Sequence, residues 1–216
     1  MGGLSLSKIN PNEWVTTEEE LRSILGYPSE LVNKKVISHI DAHCRDYIAK
    51  SPFVFISTAD AHGKCDVSPR GDAAGFVHIV DEKTIIIPDR PGNKRVDTFR
   101  NIISSSEIGL LFLIPGFGET LRINGRAFIT KDKQLLQAMR ANDKDPLLGI
   151  VVQVEECFLH CAKAFKRSGL WEPESWLQRE MLPSAAKILA DHAKLEGVTA
   201  EVIADRLAEG YSKRLY

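Results

Sequence analysis

The sequence predicts a mainly β domain with α: an antiparallel barrel of six or seven strands, with peripheral helices at the N- and C-terminal ends. Three observations predict it. Apolar, β-branched runs recur from residue 53 to 156, joined by connections of hairpin length. Only short helical stretches interrupt them, where a parallel βαβ array needs longer ones. Helical periodicity otherwise belongs to the first 50 residues and to those beyond 157.

The elements follow in order. Thr17 with Glu20 in "TEEELRSIL" forms a capping box. A second helix is predicted over 33–49, with Val36, Ile37, Ile40, Cys44, Tyr47 and Ile48 on one broad face. "FVFIST" (53–58), the turn "ADAHGK" and "CDVSP" (65–69) read as two strands. A proline inside the second assigns it to an edge or a bulge. "GFVHIV" (75–80) and "TIII" (84–87) form a hairpin. A short helix is predicted over 94–103, with Asn93 as its N-cap and Lys94 and Arg95 in its first turn. "EIGLLFLI" (107–114), the loop "PGFGE" and "TLRINGRAFIT" (120–130) follow, the last alternating Leu121 and Ile123 with Arg122 and Asn124. A helix over 131–141, a strand over 148–156, and helices from 157 onward complete the chain, among them 183–196 and 199–210 with Thr199 as a cap.

Composition narrows the function. The 216 residues are 44% hydrophobic and 26% charged, as in ordinary globular chains, and the formal net charge of -1 argues against general nucleic-acid binding. No apolar run reaches the ~18 residues of a membrane span. "MGGLSLSKIN" has neither the build of a signal peptide nor, with Leu6, the myristoylation pattern, so the cytoplasm is expected. The four cysteines form no CxxC and read as free thiols. No Walker motif or GxSxG is present, and "PGFGETL" lies between strands, where a dinucleotide fold needs a helix start. His39, His43 and Cys44 could form one edge of a metal site, but spacing indicates no third ligand and they read as a partly buried helix face; Cys157, His160 and Cys161 have the same weakness and read as packing residues.

"IPDRPGNKR" (87–95) points to chemistry. Cations at a helix N-terminus oppose its dipole. Two readings are open from this stretch alone: a solvated turn that is simply basic, or an anion held there by free N–H groups and by Lys94 and Arg95. "VSPRGD" places Ser68 and Arg70 near a strand end, as part of a site or of an ordinary surface loop, and "HCAKAFKRSGLW" gathers Lys163, Lys166, Arg167 and Trp171, either as a solvated basic helix with a packing Trp or as a second anion clamp with an aromatic lid.

The order of these pieces, with "GLLFLIPG" and "ETLRINGRA", resembles the pyridoxamine 5'-phosphate oxidase-like superfamily of FMN-binding split β-barrels. The resemblance covers roughly 50–172. It implies an N-terminal helical extension (1–50), an FMN-binding split barrel (51–172) and a C-terminal helical extension (173–216). It also implies that Asn93, Lys94 and Arg95 grip the FMN phosphate, that Ser68 and Arg70 contribute from the neighbouring strand, and that the backbone of Ile87, Pro88 and Asp89 runs beside the flavin edge. Glu119 and Thr120 would hydrogen-bond the ring. Arg167 and Trp171 would reach the flavin of a second subunit, in a homodimer with shared FMN sites. The expected activity is an FMN-dependent oxidoreduction of a small molecule, with NADH or NADPH as candidate donors. "EGYSKRLY" lacks the Arg-x-His motif of the oxidase itself, which argues against pyridoxamine phosphate oxidation. Two alternatives share the fold: a non-catalytic flavin- or haem-binding carrier or sensor, with His78 or His160 on iron, and a deazaflavin-dependent reductase.

Overall fold

The computed structural model describes residues 10–216; most of the N-terminal decapeptide read for targeting lies outside them. The chain divides into two compact units, Met1–Val36 and Ile37–Tyr216. The first holds helices α1 (Glu18–Leu25) and α2 (Glu30–Lys34). Thr17 caps α1 as predicted, its hydroxyl accepting from the Glu20 N–H, while the Glu20 carboxylate reaches back to Thr16.

The second unit is built on one antiparallel seven-stranded sheet: β1 (Phe53–Ala59), β2 (Cys65–Gly71), β3 (His78–Ile79), β4 (Thr84–Pro88), β5 (Glu107–Leu113), β6 (Thr120–Thr130) and β7 (Gly149–His160). Its order, β2-β1-β5-β6-β7-β4-β3, leaves the sheet unclosed, with β2 and β3 as edges. This is the predicted split barrel. Pro69 sits on the edge strand, where its missing N–H leaves no ladder bond unmade.

Alternation decides which side faces in. Val54, Ile56, Leu110, Phe112, Leu121, Ile123, Val152 and Cys157 fill one core. In β4 the run Ile85-Ile86-Ile87 is buried on both faces. Ile85 and Ile87 join that core, while Ile86 packs with Leu136 and Met139 beside α5 (Lys133–Gln137). The long strands β6 and β7 bend at a register shift between Asn124 and Gly125. A Cβ on Gly125 would collide with the Gln153 carbonyl oxygen, so only glycine fits this bend.

Several expectations are corrected. The helix predicted over 33–49 is broken, because the backbone of Ile37 pairs with Cys157 and the Ile40 N–H donates to the Glu82 carbonyl. Only α3 (Ala42–Lys50) remains of its second half, capped by Asp41. Ile40, Cys44, Tyr47 and Ile48 are buried nonetheless. The helix predicted over 131–141 is confined to Lys133–Gln137; the chain then runs through turns, with Asn142 and Asp143 at positive φ. β7 runs to His160, where a helix was expected from 157; pairing of Cys157–His160 with Thr120–Ile123 holds it extended. Helix α6 (Lys163–Ser168) follows, then α7 (Ala185–Ala193) and α8 (Ala200–Lys213), the last capped by Thr199 as predicted. Among the described residues no helix is long and apolar enough to cross a membrane.

The bend yields a prediction. Gly125→Ala should destabilise the protein by more than ~2 kcal/mol, read as a lower midpoint of chemical denaturation. An unchanged midpoint would contradict this account of the bend.

Candidate functional site

Edge strand β2 inverts the usual polarity. Cys65, Val67 and Pro69 face out, while Asp66, Ser68 and Arg70 are half-buried, opposite Thr58, Ile56 and Val54 of β1. They reach toward helix α4 (Asp97–Ser104). The Asp66 carboxylate accepts from the Ser68 hydroxyl at 2.8 Å and from the Thr98 hydroxyl at 3.2 Å. Arg70 donates to Thr98 Oγ1 at 3.4 Å and to the Pro69 carbonyl at 2.8 Å. Thr98 is only 2% exposed, so this network stands where a core side chain would otherwise pack. A guanidinium carries five N–H donors, and these two bonds leave most of them unplaced.

The segment after β4 meets this network. Ile87 and Pro88 are buried, and the Asp89 N–H donates to Leu148. Burial pushes the Asp89 carboxyl above the ordinary aspartate range, against the opposing pull of Arg70 and Arg90. Arg90 itself pairs with Asp72 at 2.6 Å. Burial of Asp72 is outweighed by the Tyr216 hydroxyl, the Ala73 N–H and Arg90, which hold its carboxyl below the ordinary range.

The turn that follows differs from expectation. α4 begins at Asp97, three residues later than predicted, and Val96 stands at the cap position. Asn93 caps no helix; its side-chain oxygen accepts from the Arg95 N–H at 3.0 Å and closes a turn. Lys94 and Arg95 therefore precede the helix. Lys94 and Val96 both have positive φ, 61° and 56°. A β-branched residue there is strained, and such strain concentrates at functional sites. Arg95 pairs with Asp97 at 2.7 Å, whereas Lys94 has no acidic partner among the described residues. The α4 N-terminus has no side-chain cap. Beside it lies a cleft of about 430 Å³, whose lining includes Lys64, Asp66, Arg95, Arg100 and Asn101.

A second group of expected residues gathers at the start of β6. Glu119 is half-buried and Thr120 is buried. Tyr47 of α3 donates to the carbonyls of Glu119 at 2.8 Å and Phe112 at 3.2 Å, and burial pushes its pKa up to about 12. Trp171 donates to the Phe117 carbonyl at 3.1 Å and stacks on Phe165, with ring centroids 5.6 Å apart. Arg167 is exposed on α6. His160 pairs with Thr120, and His78 lines a separate cavity of about 390 Å³ with Asp72 and Arg90.

The structure thus forms two groups. Ser68, Arg70 and Asp89 converge, with Asn93, Lys94 and Arg95 at the adjoining turn, while Glu119, Thr120 and Trp171 lie at the other. Arg70, Val54, Phe112 and Leu121 form one row across four strands, so the groups stand about 14 Å apart along the sheet. Sequence reasoning missed Asp66, Thr98 and Tyr47. Asp66 was legible, because Asp-x-Ser-x-Arg repeats with the strand's own period.

Asp89 gives a test of the electrostatics. Its folded-state pKa is raised, so its charge opposes folding above that pKa and has no effect below its unfolded value. Asp89→Asn should therefore gain stability over the unsubstituted protein at pH 7, with the gain fading as pH falls through the ordinary aspartate range. A gain unchanged down to pH 3 would contradict the assignment.

Comparison with known proteins places this geometry. Residues 40–161 match the family model described as pyridoxamine 5'-phosphate oxidase. No curated protein matches the chain. Among solved structures, HupZ from Group A Streptococcus is 21% identical, with 56% of this chain and 93% of that one covered and a TM-score of 0.46. The general stress protein 26 of Bacillus anthracis is 13% identical, covering 53% and 88%, at 0.42. A NimC/NimA family protein of Clostridium acetobutylicum is 14% identical, covering 55% and 91%, at 0.37. The match to more than half of its length, on an open seven-stranded antiparallel sheet, shows that this chain belongs to the pyridoxamine 5'-phosphate oxidase family.

Proposed function

We propose that this protein is an FMN-binding flavoprotein, an FMN-dependent oxidoreductase acting on a small molecule. The observation that carries the reading is the polar inward face of β2 beside a basic, uncapped helix start. Among the described residues neither Arg70 nor Lys94 forms an ion pair, and Arg95 forms one with half-buried Asp97. That donor set suits a phosphate and a polar ring edge.

Lys94, Arg95 and the free N–H groups of α4 would hold the phosphate, with Asn93 fixing the turn. Ser68 and Arg70 would meet the group from β2, and the backbone of Ile87, Pro88 and Asp89 would line its edge. FMN, when bound, supplies the two-electron redox chemistry. The chain's own work is to bind, orient and exclude water. Arg70 places fixed positive charge where negative charge would accumulate. Glu119 and Thr120 would supply hydrogen bonds to the ring, with Arg167 and Trp171 beside them.

The separation of the two groups supports a homodimer in which each flavin is shared, one subunit giving the phosphate side and the other the ring side. The outer face of the sheet offers a surface for it: Phe55 and Val67 are 38% and 63% exposed, beside Phe53 and Leu111. NADH or NADPH would be the electron donor, and the cytoplasm the compartment.

Replacing both Lys94 and Arg95 with Ala should lower FMN affinity at least tenfold, since each charge-assisted hydrogen bond contributes ~1.5–3 kcal/mol. Riboflavin, which lacks the phosphate, should lose much less. Equal losses in titrations of both ligands would overturn the phosphate assignment.

A further inference from the structure

Cys44 and Cys157 are 113 positions apart in the chain, and their Sγ atoms meet at 3.2 Å in the core. Cys44 stands in the first turn of α3 and is 7% exposed; Cys157, in β7, is fully buried. Both are free thiols, and both belong to the apolar cluster of Ile40, Tyr47, Ile48 and Ile123. Each is held firmly. Asp41 accepts from the Cys44 N–H at 2.8 Å, and Cys157 exchanges backbone hydrogen bonds of 3.0 and 2.6 Å with Ile37. A thiol is a weak donor and a weak acceptor, so this contact adds little as a hydrogen bond. Small apolar side chains would pack there as well. Two sulfurs in contact differ from two methyl groups in that they can bond.

We infer that Cys44 and Cys157 are a redox pair, converted by a peroxide into a disulfide that ties α3 to β7. A disulfide bond is about 2.05 Å long, so the sulfurs, 3.2 Å apart, need approach by only about 1.2 Å. Cys44 reacts first. It lies nearer the surface and at a helix start, and the hydrogen bond from Cys157 lowers its pKa, while that bond and burial raise the pKa of Cys157. The Cys44 thiolate attacks the peroxide. An S–O bond forms, the O–O bond breaks, and the leaving hydroxide takes a proton to become water. The Cys157 sulfur then attacks Cys44. The S–S bond forms, the S–O bond breaks, and the released hydroxide leaves as a second water with the Cys157 proton. Two thiols are oxidised and one peroxide is reduced to two waters.

The bond would act beyond the two sulfurs. α3 also carries Tyr47, which holds the carbonyl of Glu119. Tying α3 to β7 therefore stiffens the anchor of the 115–119 loop.

The test uses the full chain with Cys65→Ser and Cys161→Ser, which leaves only this pair. The protein is treated with hydrogen peroxide, quenched, denatured, and titrated for thiols. Two thiols per chain before treatment and none after, with a mass lower by about 2 Da and recovery by dithiothreitol, is the expected result. The oxidised form should melt several degrees higher and exchange amide hydrogens of residues 115–119 more slowly. Adding Cys44→Ala should leave the Cys157 thiol unoxidised. Should the serine variant fail to fold, the unsubstituted chain is treated and digested, and a cross-linked peptide containing Cys44 and Cys157 is sought. Two surviving thiols, a gain of oxygen atoms in place of the mass loss, or absence of the cross-linked peptide would overturn the inference.

Discussion

The contact between Arg70, Thr98 and Asp66 is the interaction on which the candidate site depends. It carries polar groups into the space between edge strand β2 and helix α4, where apolar side chains would normally close the barrel. An unsatisfied polar atom there would cost ~1–3 kcal/mol, and the network avoids that cost by letting hydroxyl, carboxylate and guanidinium serve each other. With β2 and α4 joined in this way, the turn before α4 is held against the strand. Arg95 of that turn then lines a cleft with Asp66, while Arg70 acts on Asp89 from the strand.

The rest of the fold serves as a frame. The bend at Gly125 lets β6 and β7 wrap the core while running on to Thr120 and His160. That extension brings Thr120, Glu119 and Trp171 to one corner, and Tyr47 fastens the corner to α3. In the proposed homodimer these two polar groups would lie on either side of a flavin shared between two copies.

Much of this was legible in the chain. Strands announced themselves through period-2 alternation and β-branched runs, and Pro69 marked an edge correctly. The start of α4 did not, because Asn93 is a good cap and only the left-handed turn at Lys94 and Val96 moves the helix to Asp97. Apolar spacing also misled at residues 33–49. Ile37 and Ile40 have helical spacing with Cys44 and Tyr47, but their backbone groups are taken by Cys157 and Glu82. Spacing records which side chains are buried; it does not record where the backbone hydrogen bonds go. The role of Tyr47 was illegible for a related reason, since its partners are carbonyls 65 and 72 residues away.

The visible absorption spectrum of the purified protein, taken after FMN addition and gel filtration, tests the central claim most directly. The account predicts the bands of oxidised flavin co-eluting with the protein at about one FMN per chain. Protein that elutes without a flavin spectrum, or that carries the Soret band of haem, would contradict it.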